Sequence, residues 1–268
     1  MTGRTSPLKS QASIQSRWKR PQHREQVREL AEFDIGLIDK YVDAADLASL
    51  NEFADHPDVA GFTTNPTLMR RAGVDDYLAF ATKASALTNP KPLSLEVFSD
   101  SPDEIVQQAL SISDIGPNVF VKVPVTTTTG RSLAPEIAAL SSRGVRLNVT
   151  AILTLDQVQT VSAALTANTE AIISVFAGRI ADTGVDPTTI MSEAAKIVHQ
   201  TLGHKLLWAS PREILNLVQA QQCDCDIITM TPDLWKKVAV LGQDLESLSL
   251  DTVKMFRSDA VAAGYTLS

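Results

Sequence analysis

One lysine set in a run of valines is the residue of this chain best suited to nucleophilic chemistry. Across Val119–Val125 the odd positions are all valine, and the even ones are Phe120, Lys122 and Pro124. Alternate side chains of a strand point to opposite faces. If the valines meet a layer of helices, Lys122 points into the interior. An interior ammonium is costly unless paired, and losing its proton relieves that cost. A neutral amine placed there can attack a carbonyl. The pattern alone fits two other arrangements as well: a lysine in an internal salt bridge, or one at a strand tip in water.

The same alternation gathers further polar residues on that inner face. In Leu93–Phe98, Leu93, Leu95 and Val97 share one side, while Ser94, Glu96 and Phe98 take the other. In Arg146–Ala151, Leu147, Val149 and Ala151 face the helices, and Asn148 and Thr150 face in. Ile173 and Val175 point out, Ser174 and Phe176 in; Val42 points out, Asp43 in. Asp43, Glu96, Lys122, Asn148, Thr150 and Ser174 thus converge from five strands, most of them near C-terminal strand ends. Two carboxylates, an amine, an amide and two hydroxyls exceed what packing alone requires, and their convergence predicts a catalytic centre.

The elements that must position them follow from the apolar pattern. Strands are expected at Leu37–Asp43, Gly61–Thr64, Leu93–Phe98, Val119–Pro124, Arg146–Thr150, Ala171–Phe176, Lys205–Ser210 and Asp226–Met230. This register places Trp208 and Met230 inside. Helix-like segments separate the strands. Ser101-Pro102-Asp103-Glu104 reads as a capping box, and Asp186-Pro187 as a second helix start. Leu155, Val158, Val161 and Leu165 form a helical stripe, and Leu248–Ala263 a terminal helix. Eight alternating units predict an α/β fold, a single eight-stranded parallel (β/α)8 TIM barrel with an N-terminal extension and a C-terminal helix. An open doubly wound sheet would call for a Gly-rich loop after the first strand, where Ala44-Ala45-Asp46 stands instead.

The chain has 268 residues, 44% apolar and 21% charged, and no apolar run long enough to span a membrane. Residues 1–28 hold seven of the 24 basic side chains and one of the 31 acidic ones, leaving 17 against 30 and a net −13 on the rest. So acidic a body disfavours nucleic acid as a partner. The expected organisation is a basic arm over residues 1–34, a surface arm or an organelle-targeting segment, followed by a catalytic barrel over 35–268. Cys223 and Cys225 read as reduced thiols of a cytoplasmic protein. His23, His56, His199 and His204 lack metal-ligand spacing and are expected at the surface. No metal site and no cofactor are expected.

Several stretches resemble the transaldolase family, which includes the fructose-6-phosphate aldolases. They are Tyr41-Val42-Asp43-Ala44-Ala45-Asp46, Gly61-Phe62-Thr63-Thr64-Asn65-Pro66-Thr67, Val121-Lys122-Val123-Pro124-Val125-Thr126, Asn148-Val149-Thr150, Phe176-Ala177-Gly178-Arg179-Ile180 and Ala209-Ser210-Pro211-Arg212, in family order. The resemblance implies a Schiff base at Lys122 and an acid/base role for Asp43 at the C4 hydroxyl as the C3–C4 bond breaks. It implies that Glu96 and Thr150 move protons through a bound water. Asn65, Asn148 and Ser174 would hold hydroxyls of the three-carbon donor fragment, and Arg179, Ser210 and Arg212 a sugar phosphate.

Within the family, aldolases that release free dihydroxyacetone typically carry Gln where this chain has Glu96, and Tyr where it has Phe176. Both positions therefore favour a transaldolase of the pentose phosphate pathway that moves a dihydroxyacetone unit between sugar phosphates. The alternatives are a fructose-6-phosphate aldolase-like enzyme, a transaldolase acting on an unusual anionic sugar, and a non-catalytic sugar-phosphate-binding barrel. Pro211 departs from the aromatic residue usual in the phosphate motif. A homo-oligomer is expected.

Overall fold

Period-two alternation sorts the apolar side chains of each strand into two layers, and the chain closes around the inner one. The computed structural model describes residues 38–267 apart from Asn168; the basic arm, Leu37 and His23 lie outside the described residues. The elements run β1 (Asp39–Asp43), α1 (Leu47–Ala54), β2 (Val59–Thr63), α2 (Pro66–Arg71), α3 (Tyr77–Thr88), β3 (Leu93–Glu96), α4 (Pro102–Ser113), β4 (Val119–Pro124), α5 (Ala134–Ser142) and β5 (Leu147–Ile152). They continue with α6 (Leu155–Ala164), β6 (Ala171–Val175), α7 (Ala177–Ala181), α8 (Thr188–Val198), β7 (His204–Trp208), α9 (Leu215–Gln222), β8 (Ile227–Met230), α10 (Pro232–Trp235), a 3-10 segment (Lys236–Val240) and α11 (Leu245–Ala262). The strands form a closed barrel in sequence order, parallel throughout, with β8 paired to β1. This is the (β/α)8 fold. Among the described residues, those up to Leu241 group as one compact unit, and α11 belongs to another. Among the described residues no helix is long and apolar enough to cross a membrane.

Val42, Leu95, Val121, Val123, Val149 and Ile173 are fully buried in the outer layer, between strands and helices. Removing each such side chain from water contributes about 1.5–3 kcal/mol. The barrel interior has two storeys. Tyr41, Phe120, Ile172, Leu207 and Ile227 form an apolar lower plug. Gly61 is required beside it, because a Cβ there would sit 2.5 Å from the Tyr41 ring. Two residues further along three of these strands, toward the C-terminal ends, stand Asp43, Lys122 and Ser174, so the upper storey is polar.

Several local expectations are corrected. Trp208 and Met230 pack in the outer layer, and Leu207 and Thr229 take the inner positions. Strand β7 is apolar on both faces, so alternation alone could not set its direction. Ala151 does not face the helices, because β5 bulges between Val149 and Ile152, Ala151 takes φ 62°, and Ile152 joins the core. Ser101 precedes α4 without a capping bond from its side chain; Glu104 accepts instead from the Ser99 hydroxyl at 2.7 Å. The complete capping box lies at Thr154 and Gln157, at the start of α6. His204 is buried, and its burial lowers its pKa.

Candidate active site

Register alone brings the central residues together. Glu96 lies opposite Lys122, and Lys122 opposite Asn148, across the parallel ladders of β3, β4 and β5. Cross-strand partners share a face, so all three project into the upper storey. The Lys122 Nζ sits 3.1 Å from Glu96 Oε2 and donates to the Thr64 carbonyl at 2.7 Å. Only 6% of Lys122 is exposed. Of the arrangements the alternation left open, the lysine in an internal salt bridge is the one found. The amine has a counter-charge that can also receive its proton.

Asp43 occupies the same storey. Its Oδ1 accepts from the Thr63 hydroxyl at 2.8 Å, and its two oxygens stand 3.5 and 3.3 Å from the Asn65 amide nitrogen. Asn65 is oriented from its other end, where its Oδ1 caps α2 by accepting from the Leu68 N–H at 3.0 Å. Pro66, at the first helical position, needs no partner for a missing N–H. Burial pushes the Asp43 carboxyl above the ordinary carboxylate range, against the opposing pull of the Lys122 charge and the bonds from Thr63 and Asn65. Thr63 in turn bonds the Thr229 hydroxyl at 2.6 Å.

A second chain of bonds fixes the far wall. The Ser174 hydroxyl donates to Asn148 Oδ1 at 2.6 Å, and Asn148 Nδ2 donates to the Ser94 hydroxyl at 3.0 Å. Thr150 differs. Its hydroxyl is buried and has no partner among the described residues. An orphaned hydroxyl on a bulged strand suits a bound water or a substrate hydroxyl. The Tyr77 hydroxyl donates to the Glu96 backbone carbonyl at 2.8 Å and anchors the end of β3. Tyr77 and Thr229 were not legible as site residues. Neither lies in a motif, and Tyr77 arrives from a helix.

The remaining predicted residues sit at the mouth. Phe176 follows β6 and precedes α7, and the Arg179 guanidinium lies over its ring, 5.1 Å from the centroid. Gly178 packs so closely on the end of β7 that a Cβ there would meet the Ser210 carbonyl at 1.6 Å. Ser210 takes φ 60°, a left-handed conformation that costs a non-glycine residue about 1–2 kcal/mol. Arg212 is engaged. Its Nε donates to Asp182 Oδ1 at 3.1 Å and its Nη2 to Asp182 Oδ2. The structure thus brings Lys122, Glu96, Asp43, Asn65, Asn148, Thr150 and Ser174 into one polar storey. Phe176, Arg179, Ser210 and Arg212 lie at its rim.

A (β/α)8 barrel with a buried amine–carboxylate pair at the C-terminal ends of its strands has the build of a barrel enzyme. The chain matches the Transaldolase/Fructose-6-phosphate aldolase family over residues 40–266 and belongs to that family. A probable transaldolase from Dehalococcoides mccartyi is 31% identical over 191 residues, covering 71% of this chain and 85% of that protein. One from Paracoccus denitrificans is 30% identical over 218 residues, covering 80% and 96%. One from Roseiflexus castenholzii is 33% identical over 190 residues, covering 70% and 83%. Among solved structures, a putative phosphonomutase from Burkholderia cenocepacia has TM-score 0.55 at 10% identity, covering 82% of this chain and 95% of that one. That likeness is one of fold.

Proposed function

We propose that the protein is a class I transaldolase working through a Schiff base on Lys122. The carrying observation is the 3.1 Å approach of the Lys122 amine to Glu96 in the storey that also holds Asp43. The amine passes its proton to Glu96 and attacks the ketose carbonyl. Water leaves from the carbinolamine with a proton returned through Glu96 and a water held by Thr150. The resulting iminium is an electron sink. Asp43 takes the C4 hydroxyl proton as the C3–C4 bond breaks, the aldose departs, and an enamine remains on Lys122. Attack of the enamine on an acceptor aldehyde, with Asp43 returning the proton, forms the new ketose, and hydrolysis frees it. Asn65, Asn148 and Ser174 hold the hydroxyls of the three-carbon unit; Arg179, Ser210 and Arg212 hold the phosphate at the far end of the ketose.

Phe176 and Glu96 favour transfer over release. Phenylalanine offers no hydroxyl to protonate the enamine, so the enamine persists until an aldehyde arrives. The donors in this reading are ketoses such as fructose 6-phosphate or sedoheptulose 7-phosphate, the acceptors aldose phosphates, and the setting the pentose phosphate interconversions of the cytoplasm. A homo-oligomeric state belongs to the same proposal, and α11 supports it by exposing Val253 and Phe256. The test is borohydride reduction in the presence of fructose 6-phosphate, followed by peptide mapping. An adduct on Lys122 is expected; binding without an adduct overturns the mechanism in favour of a sugar-phosphate-binding barrel. Donor consumption should require erythrose 4-phosphate; consumption without it marks an aldolase that releases dihydroxyacetone.

A further inference from the structure

We propose that Thr229 is a positioning residue for the carbon–carbon step: acting through the Thr63 hydroxyl, it keeps Oδ1 of Asp43 engaged and leaves Oδ2 to take the C4 proton. The proposal rests on the transaldolase reading and adds a residue of β8 to the same site. Thr63 lies opposite Asp43 across the β1–β2 ladder, and Thr229 lies opposite Tyr41 across the β1–β8 ladder. The two threonines therefore flank β1. Both are buried, and their hydroxyls meet inside the barrel at 2.6 Å.

The direction of these bonds follows from the number of protons. A hydroxyl owns one, and an ionised carboxylate only accepts. Thr63 gives its proton to Asp43 Oδ1 at 2.8 Å, so the proton between the two threonines comes from Thr229. A hydroxyl that accepts one bond donates a stronger one, and Thr229 thereby tightens the hold of Thr63 on the carboxylate. Packing does not call for a hydroxyl at this position. Thr229 is level with Tyr41 of the apolar plug, where valine has nearly the same shape and no polar atom to satisfy. The Asn65 amide cannot choose between the carboxylate oxygens, since it stands 3.5 Å from Oδ1 and 3.3 Å from Oδ2. The Thr63 bond makes that choice. The charged groups facing Asp43 are Lys122 from β4 and Glu96 from β3. Burial does most to raise the Asp43 pKa and Glu96 adds to it, while Lys122 and the Thr63 bond oppose them. Loss of the Thr229 hydroxyl weakens one of the two opposing forces.

The experiment measures the pH profile of kcat/KM in the full chain, with fructose 6-phosphate as donor and erythrose 4-phosphate as acceptor. Thr229→Val should lower kcat by about tenfold and move the acid limb up by about 0.5–1 pH unit. Thr229→Ser, which keeps the hydroxyl, should restore both. In a chain that already carries Thr63→Val, adding Thr229→Val should leave the limb where it stands, because the connection runs through Thr63. A limb unmoved by Thr229→Val, a serine variant that does not restore it, or a further shift in the Thr63→Val chain overturns the proposal. Thr229→Ala takes the place of the valine variant if that does not fold, with the same expectation. Single-turnover borohydride trapping adds a readout by step. In Thr229→Val the Lys122 imine should form at the wild-type rate while release of the aldose slows; equal slowing of both marks a merely structural threonine and overturns the proposal. Lys122 unmodified in the wild type overturns the transaldolase mechanism and this proposal together, whereas Lys122 modified with an unmoved limb in Thr229→Val overturns this proposal alone.

Discussion

The upper storey of the barrel and its rim are built on opposite principles. Around Lys122 every position but Asn65 is set by a strand, and most polar atoms have a partner at 2.6–3.5 Å. At the rim, Arg179, Asp182 and Arg212 are exposed, and their placement depends on one close glycine contact and one left-handed serine. Chemistry that must recur with the same geometry stands on strands. The rim stands on helix ends and loops, where a single ion pair sets which charge is offered.

The largest effect should come from removing the nucleophile. Lys122→Ala is expected to lower kcat by about 10⁴-fold or more and to abolish the borohydride adduct. Residual turnover near wild type would move the chemistry elsewhere in the barrel. Its folding stability is expected to fall as well, since a half-buried Glu96 is left without its partner, and denaturant titration reads this directly.

Asp43→Asn should cost about 10²–10⁴-fold in kcat. Stability gives an independent reading of the same residue. The native pKa of Asp43 is raised, so its contribution to stability is fully present below the unfolded-state value and is lost as pH rises through the native one. Asp43→Asn should therefore match or exceed wild-type thermal stability at pH 7, with the gain shrinking toward acid. A gain that grows toward acid contradicts the burial argument. The acid limb of the wild-type kcat/KM profile should also lie above the ordinary carboxylate range.

Thr150→Val should slow imine formation and hydrolysis by about tenfold while changing stability by less than about 1 kcal/mol, because an unpartnered buried hydroxyl is replaced by a methyl. Single-turnover trapping separates this from a binding effect. At the rim, Gly178→Ala should destabilise by about 1–3 kcal/mol through its clash with the Ser210 carbonyl. Ser210→Gly, the smallest change, should relieve the left-handed backbone by about 1 kcal/mol in chemical denaturation.

Much of the upper storey was legible beforehand because valines and leucines on one face expose the polar residue on the other. That logic worked for β3, β4 and β6, where the two faces differ in kind. It failed in β7, where Leu206 and Trp208 alternate with Leu207 and Ala209 and nothing polar breaks the tie. It failed again at Ala151, because a bulge resets the period within one strand. Tyr77 and Thr229 escaped notice because a helix and the last strand deliver them to the site from far along the chain.

The sequence by itself determined the repeating strand–helix order, the buried lysine and the inward set of Asp43, Glu96, Asn148 and Ser174, because side-chain periodicity is a local property of the backbone. The pairing of Lys122 with Glu96 and the orphaned Thr150 hydroxyl were decided only in three dimensions. So was the capture of Arg212 by Asp182, thirty positions away. Each of these depends on groups from different strands or loops meeting in space, and a meeting of that kind leaves no period along the chain.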